Sequence, residues 1–226
     1  MPSPTPFLQA VLTILRRDLR AESRNRQVIT SMAMFALLCT VIFYFTLESR
    51  PDVRLAALPS IVWVIVVFTS TLGISRSLSQ EHDRGILDAL LLAPIDRAVL
   101  FYGKLVTTWL YSLVVAALVT LALSFLFTLG FPLAWWLIVV LGTLGLAAVG
   151  TLLGSMAIHS QGRETTLPII VLPIALPILM ASVYASNLIL ANRPFEDWAT
   201  WPALLVVTDI VFVTIPLLLF DFIVEE

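Results

Sequence analysis

The sequence predicts an all-α integral membrane protein with six transmembrane helices, an N-terminal helix lying in the membrane interface and one extended cytoplasmic connection. Two observations carry this. Of 226 residues, 59% are hydrophobic and only 12% charged, against about 25% charged in a soluble domain. The charge is also unevenly spread: six runs, 28–47, 57–75, 105–128, 133–157, 167–190 and 202–223, contain only Asp209 and Asp221. Each run approaches the roughly 20 residues that cross a hydrocarbon core about 30 Å thick as a helix, a conformation that satisfies its own backbone hydrogen bonds in lipid.

Between the runs no segment reaches the ~50 residues of a small independent domain, so a bulky soluble activity has to come from another chain. The single cysteine, Cys39 in the first run, excludes an intrachain disulfide and a cysteine-based metal cluster. A net charge of −2 on a chain mostly hidden from water argues neither for nor against a nucleic-acid partner; none is expected. The Pro-rich start and the Arg-rich stretch before the first run do not resemble a cleavable signal.

Residues 1–27 read as a cytoplasmic tail. Phe7, Leu8, Val11, Leu12, Ile14, Leu15 and Leu19 share one arc of a helix, with Arg16, Arg17, Arg20 and Arg24 opposite, which is the pattern of a helix in the lipid interface; Asp18 intrudes on the apolar arc. Residues 28–223 form the six-span domain. An even number of spans puts both termini on one side. That side carries ten cationic residues (Arg16, Arg17, Arg20, Arg24, Arg26, Arg76, Arg84, Arg97, Lys104 and Arg163) and the other side three (Arg50, Arg54 and Arg193). The excess predicts cytoplasmic termini in the cytoplasmic (inner) membrane.

Tyr44, Trp135, Trp136, Trp198 and Trp201 fall near the outer ends of spans and read as an aromatic belt at the interface; a stacking platform for a flat porphyrin is the alternative. The fifth span contains Pro168, Pro173 and Pro177, each of which removes a helix hydrogen bond and crowds the preceding turn, so a kinked or locally unwound helix that gates or hinges is expected. In the sixth span, Asp209 is a carboxylate inside hydrocarbon and should face the bundle interior or water, as a candidate for a role in a path or simply satisfied by Thr208 or a neighbouring helix. Ser155 and His159, at i and i+4, would permit a Ser–His pair, though no orienting carboxylate or oxyanion site accompanies them. His82 and His159 are the only histidines and read as solvated side chains near the cytoplasmic face.

The longest interior connection, 76–104, carries most of the information. A charged start (Glu81, His82, Asp83, Arg84) meets Gly85, then an apolar cluster (Ile86, Leu87, Leu90, Leu91), then Pro94 as a stop: a short amphipathic cytoplasmic helix whose apolar face fits a membrane surface or a groove on another protein. Glu81, Gly85, Leu87-Asp88, Leu90 to Leu92, Pro94 and Gly103-Lys104 resemble the stretch between the second and third spans of type-2 ABC exporter permeases, which usually have Glu where this chain has Asp88. The order of elements agrees. Within that class, the length, the short outer loops, the Leu-Pro-rich fifth span (Val171 to Ile178) and Pro59-Ser60-Ile61-Val62-Trp63 are similar to the heme exporter protein B family, CcmB, of cytochrome c maturation.

The resemblance implies a permease subunit with no ATPase activity of its own. It would pair with a cytoplasmic CcmA-like ATPase that holds ATP and magnesium, work beside CcmC-like and CcmE-like heme-handling proteins, and function as a homodimer. ATP hydrolysis would drive heme export or release of the heme-loaded chaperone, with heme as cargo and no cofactor bound by this chain. The residues agree on the missing ATPase: in the closest approach to a phosphate loop, Ala98 to Leu105, Ala98 replaces the first glycine and Leu105 the Ser/Thr that would bind magnesium. The lever that would receive the ATPase's force is Glu81, Gly85, Leu87, Asp88, Leu90, Leu91 and Pro94. An exporter for a drug, lipid or polysaccharide, and a membrane scaffold that transports nothing, are the other readings of the same elements.

Overall fold

The computed structural model describes residues 7–83, 97–156 and 163–223. They form eight helices: α1 Phe7–Asn25, α2 Gln27–Glu48, α3 Pro51–Asp83, α4 Arg97–Phe127, α5 Leu133–Met156, α6 Arg163–Leu190, the short α7 Phe195–Trp198, and α8 Thr200–Ile223. Six of them, α2 to α6 and the α7–α8 unit, contain stretches long and apolar enough to cross a membrane, and no strand occurs among the described residues. The all-helical, six-span expectation is met.

α5 is the centre of the bundle, packed against α3, α4, α6 and α8, while α2 lies outside on α3 and α4 and buries only the row Val28, Met32, Ala36, Thr40 and Leu47. Close approach to α5 and α3 is made by small residues, as expected where lipid removes the hydrophobic drive between helices. A Cβ added to Gly73 would collide with Met32 of α2, and one added to Gly150 with Ile74 of α3.

Helix ends are closed locally. Asn192 (φ 54°) lies in the left-handed region, and Arg193 N–H reaches back to the Leu188 carbonyl at 3.0 Å, so the last carbonyls of α6 are satisfied before the chain turns. Thr128 (φ 54°) does the same for α4, with Leu129 N–H on the Ser124 carbonyl at 3.1 Å. Between α1 and α2 the elbow is Arg26, at φ 48°, and the Glu22 carboxylate accepts from Ile29 N–H at 2.7 Å, capping a free donor in the first turn of α2.

Three expectations change. First, helix runs into both ends of the 76–104 segment: α3 continues to Asp83 and α4 begins at Arg97. No proline or glycine interrupts 76–83, so nothing in the sequence stops the helix there, and Glu81 lies in the last turn of α3 instead of opening a new helix. Second, the fifth span is not unwound: α6 is helical from Arg163 to Leu190 through all three prolines. Pro173 and Pro177 sit on its exposed face, where a missing hydrogen bond costs no packing, and Val171, Ala175 and Ile178 point inward. Third, Trp135 does not belong to an interfacial belt. It lies in the first turn of the enclosed helix α5, is 0% exposed and packs on Phe131 with ring centroids 4.6 Å apart.

Candidate functional site

Two constellations stand out. One lies at the start of α4, the other midway through the bundle.

At the base of α4, successive residues are held by different neighbours. α1 turns Ile14 and Asp18 inward and leaves Leu8, Leu12 and Leu19 exposed, so the apolar arc is divided between protein and surroundings. A Cβ on Gly103 would come within 2.6 Å of Ile14 Cγ2, so the glycine is what lets α1 lie directly on α4. One residue on, Lys104 Nζ is 2.9 Å from Asp18 Oδ2. Arg17 donates to Asp18 Oδ1 through Nη2 at 2.8 Å and Nε at 3.0 Å, so this buried carboxylate meets cations at both oxygens. The intrusion of Asp18 on the apolar arc, visible in the sequence, is thereby explained.

Tyr102 points elsewhere. Its ring meets Phe7 of α1 edge-on at 5.8 Å, and its hydroxyl donates to the Val213 carbonyl of α8 at 2.8 Å. Phe101 and Leu105 pack on Ala148 of α5. Four consecutive positions, Phe101 to Lys104, thus tie the start of α4 to α5, α8 and α1.

In the middle of the bundle, Trp63 of α3 donates its indole N–H to Ser186 Oγ of α6 at 3.0 Å, with both side chains buried. The ring lies against Gly142 of α5, where any Cβ would overlap it and would also come within 2.5 Å of Ser182 Oγ. A turn further along α5, a Cβ on Gly145 would be 2.5 Å from Asp209 Oδ1 and 3.1 Å from Ile178 Cδ1. Asp209 therefore faces the interior, as the cost of a carboxylate in lipid requires. It is 5% exposed, and neither oxygen has a hydrogen-bond partner among the described residues, which leaves Thr208 out of that role: its hydroxyl donates to the Leu204 carbonyl.

The remaining expected residues are placed as follows. Gly85, Leu87, Asp88, Leu90, Leu91 and Pro94 lie outside the described residues, as does His159. Glu81 and His82 continue the backbone of α3, and Pro168 that of α6, with their side chains outside the described residues. The Ser155 hydroxyl donates to the Leu152 carbonyl at 2.7 Å, an ordinary intrahelical contact. No cluster of His, Cys, Asp or Glu suited to a metal occurs among the described residues. Sequence reasoning missed the Trp63–Ser186 bond and the Lys104–Asp18 pair; small residues spaced along α5 were the only available sign of the first.

The profile of the family described as CcmB protein matches residues 9–222. The chain belongs to the CcmB family. It is similar to proteins named heme exporter protein B from Pseudomonas aeruginosa (22% identical, 84% of this chain and 86% of the relative), Bradyrhizobium diazoefficiens (24%, with 82% and 84%) and Paracoccus denitrificans (28%, with 74% and 78%). CcmB proteins are membrane permeases, and a bundle of six spans with no soluble domain among them is the architecture such a subunit needs. The match begins inside α1 and ends inside α8, so the α1–α4 clasp and the Asp209 region both lie within the family's extent.

Proposed function

We propose that this CcmB protein is the permease subunit of an ABC complex for cytochrome c maturation and couples ATP hydrolysis by a separate CcmA-like ATPase to heme export or to release of a heme-loaded CcmE-like chaperone. The names of its relatives support heme as the cargo. The observation that carries the coupling is the clasp at the base of α4. Force received by 84–96 from an ATPase below arrives first at Arg97 to Lys104, and those residues are bound to α1, α5 and α8 at once. A displacement of the connection then moves three helices together instead of fraying one helix end.

In this reading Glu81, Gly85, Leu87, Asp88, Leu90, Leu91 and Pro94 dock on the ATPase, and ATP with magnesium stays on that partner. Pro168, Pro173 and Pro177 give α6 a place to bend. Two copies of the chain enclose the path, CcmC-like and CcmE-like proteins stand beside it, and the Lys/Arg excess orients both termini to the cytoplasm of the inner membrane. The experiment is purification of the complex from native membranes with Glu81→Ala, Gly85→Val or Leu90→Glu in this subunit. Inserted but uncoupled complexes are expected, with ATP turnover no longer linked to release of heme-loaded chaperone. Normal coupling in all three variants overturns the assignment. Chaperone release without heme flux in proteoliposomes selects the non-transporting form of the function.

A further inference from the structure

The centre of the bundle contains polar atoms that nothing among the described residues satisfies. Asp209 is nine residues into α8 and Gly145 twelve into α5, about 14 and 18 Å from the outer ends of these helices and so near the middle of a core about 30 Å thick. Asp209 Oδ1, Asp209 Oδ2 and Ser182 Oγ have no hydrogen-bond partner among the described residues, and Asp209 and Ser182 are 5% and 0% exposed. They abut one stripe of α5: a Cβ at Gly145 would lie 2.5 Å from Asp209 Oδ1, and one at Gly142 would lie 2.5 Å from Ser182 Oγ. Gly142 and Gly145 are i and i+3, neighbours on the same helix face, so the carboxylate and the hydroxyl abut positions one helical turn apart.

Among the described residues no cation pairs with the carboxylate. α5 carries no titratable side chain from Leu133 to Ser155. From α6 the described group is Tyr184, exposed and stacked on Trp201. From α4 they are Tyr102, bonded to Val213, Lys104, paired with Asp18, and the buried Tyr111. Arg163 and Glu164 open α6 and Arg97 opens α4, with their side chains outside the described residues. The short α7 offers Glu196 and Asp197, both exposed at the outer end. An ionised carboxylate so placed, without a partner, costs several kcal/mol, and a bound cation removes that cost.

We propose that Asp209 and Ser182 form an internal binding site for a small monovalent cation, a proton or a sodium ion, at the junction of α5, α6 and α8. The donors, two carboxylate oxygens and a hydroxyl, are hard oxygen ligands that suit either occupant. The site is independent of the ATPase coupling proposed above, and it ties α8 to α6 only while it is filled.

The test uses the full chain in lipid nanodiscs and reads thermal midpoint against pH, and against sodium chloride with choline chloride at equal ionic strength. If the occupant is a proton, the folded protein holds a proton that the unfolded chain releases at neutral pH. The wild type then loses stability as pH rises, and Asp209→Asn does not. If it is sodium, the wild-type midpoint rises with sodium and not with choline, and the rise is absent in Asp209→Asn and reduced in Ser182→Ala. Parallel responses of wild type and Asp209→Asn to both variables overturn the proposal. Should Asp209→Asn fail to fold, the wild type alone decides. Dicyclohexylcarbodiimide should modify Asp209, mapped by mass spectrometry, with protection by alkaline pH for a proton or by sodium for sodium. No adduct on Asp209, or one indifferent to both, overturns it equally.

Discussion

Lys104 Nζ lies 2.9 Å from Asp18 Oδ2, pairing the base of the third membrane span with a helix more than eighty residues earlier in the chain. The pair is largely buried, with 18% and 9% of the two side chains exposed, and Arg17 holds the other carboxylate oxygen. It fixes where α1 lies against the start of α4.

Removing one partner takes away a buried counter-charge, and Asp18 without Lys104 keeps Arg17. Asp18→Asn or Lys104→Met should cost of the order of 3 kcal/mol, and Asp18→Leu combined with Lys104→Met should recover most of it, since a packed apolar pair often replaces a buried ion pair without loss. Thermal unfolding of the three variants in nanodiscs checks this. Equal losses that simply add would show that the pair is not coupled.

Tyr102→Phe keeps the ring on Phe7 and deletes the bond to the Val213 carbonyl. A stability change of about 1 kcal/mol is expected. The larger effect should fall on coupling: ATP turnover by the associated ATPase should continue while its link to chaperone release weakens, measured as release per ATP consumed.

Gly142→Ala drives a methyl into the Trp63 ring and toward Ser182, and overpacking of this kind costs about 1–3 kcal/mol. Gly130→Ala is the matched control, because nothing lies within 4 Å of a Cβ there. The difference between their thermal midpoints is the measurement; matching midpoints would contradict the packing.

Trp63→Phe retains most of the ring volume but leaves Ser186 Oγ without its donor. The loss should be about 1 kcal/mol beyond the change in packing, and it should vanish when Ser186→Ala is already present. A double-mutant cycle on unfolding free energies reads the coupling directly.

Much of this was legible in one dimension. Six apolar runs stand out because a helix in lipid must be long and uncharged, and the inward placement of Asp209 follows because a carboxylate cannot face hydrocarbon. The local punctuation was harder to read. Three prolines in α6 suggested broken helix, yet a proline on the exposed face removes one hydrogen bond without disturbing the packed face, and α6 continues. Asp18 looked like a flaw in an amphipathic arc because its partner, Lys104, lies far away in the sequence.

By itself, then, the sequence determined the class, the number of spans, the bias of basic residues to one side and the resemblance to CcmB proteins, all properties that depend on composition along a single helix or on a contiguous motif. The tertiary structure decided which small residues of α5 admit Trp63, Ser182 and Asp209, and which cation meets Asp18. Those contacts join residues on different helices, and helical periodicity, which repeats every turn along one axis, contains no information about which neighbour will stand opposite a given face.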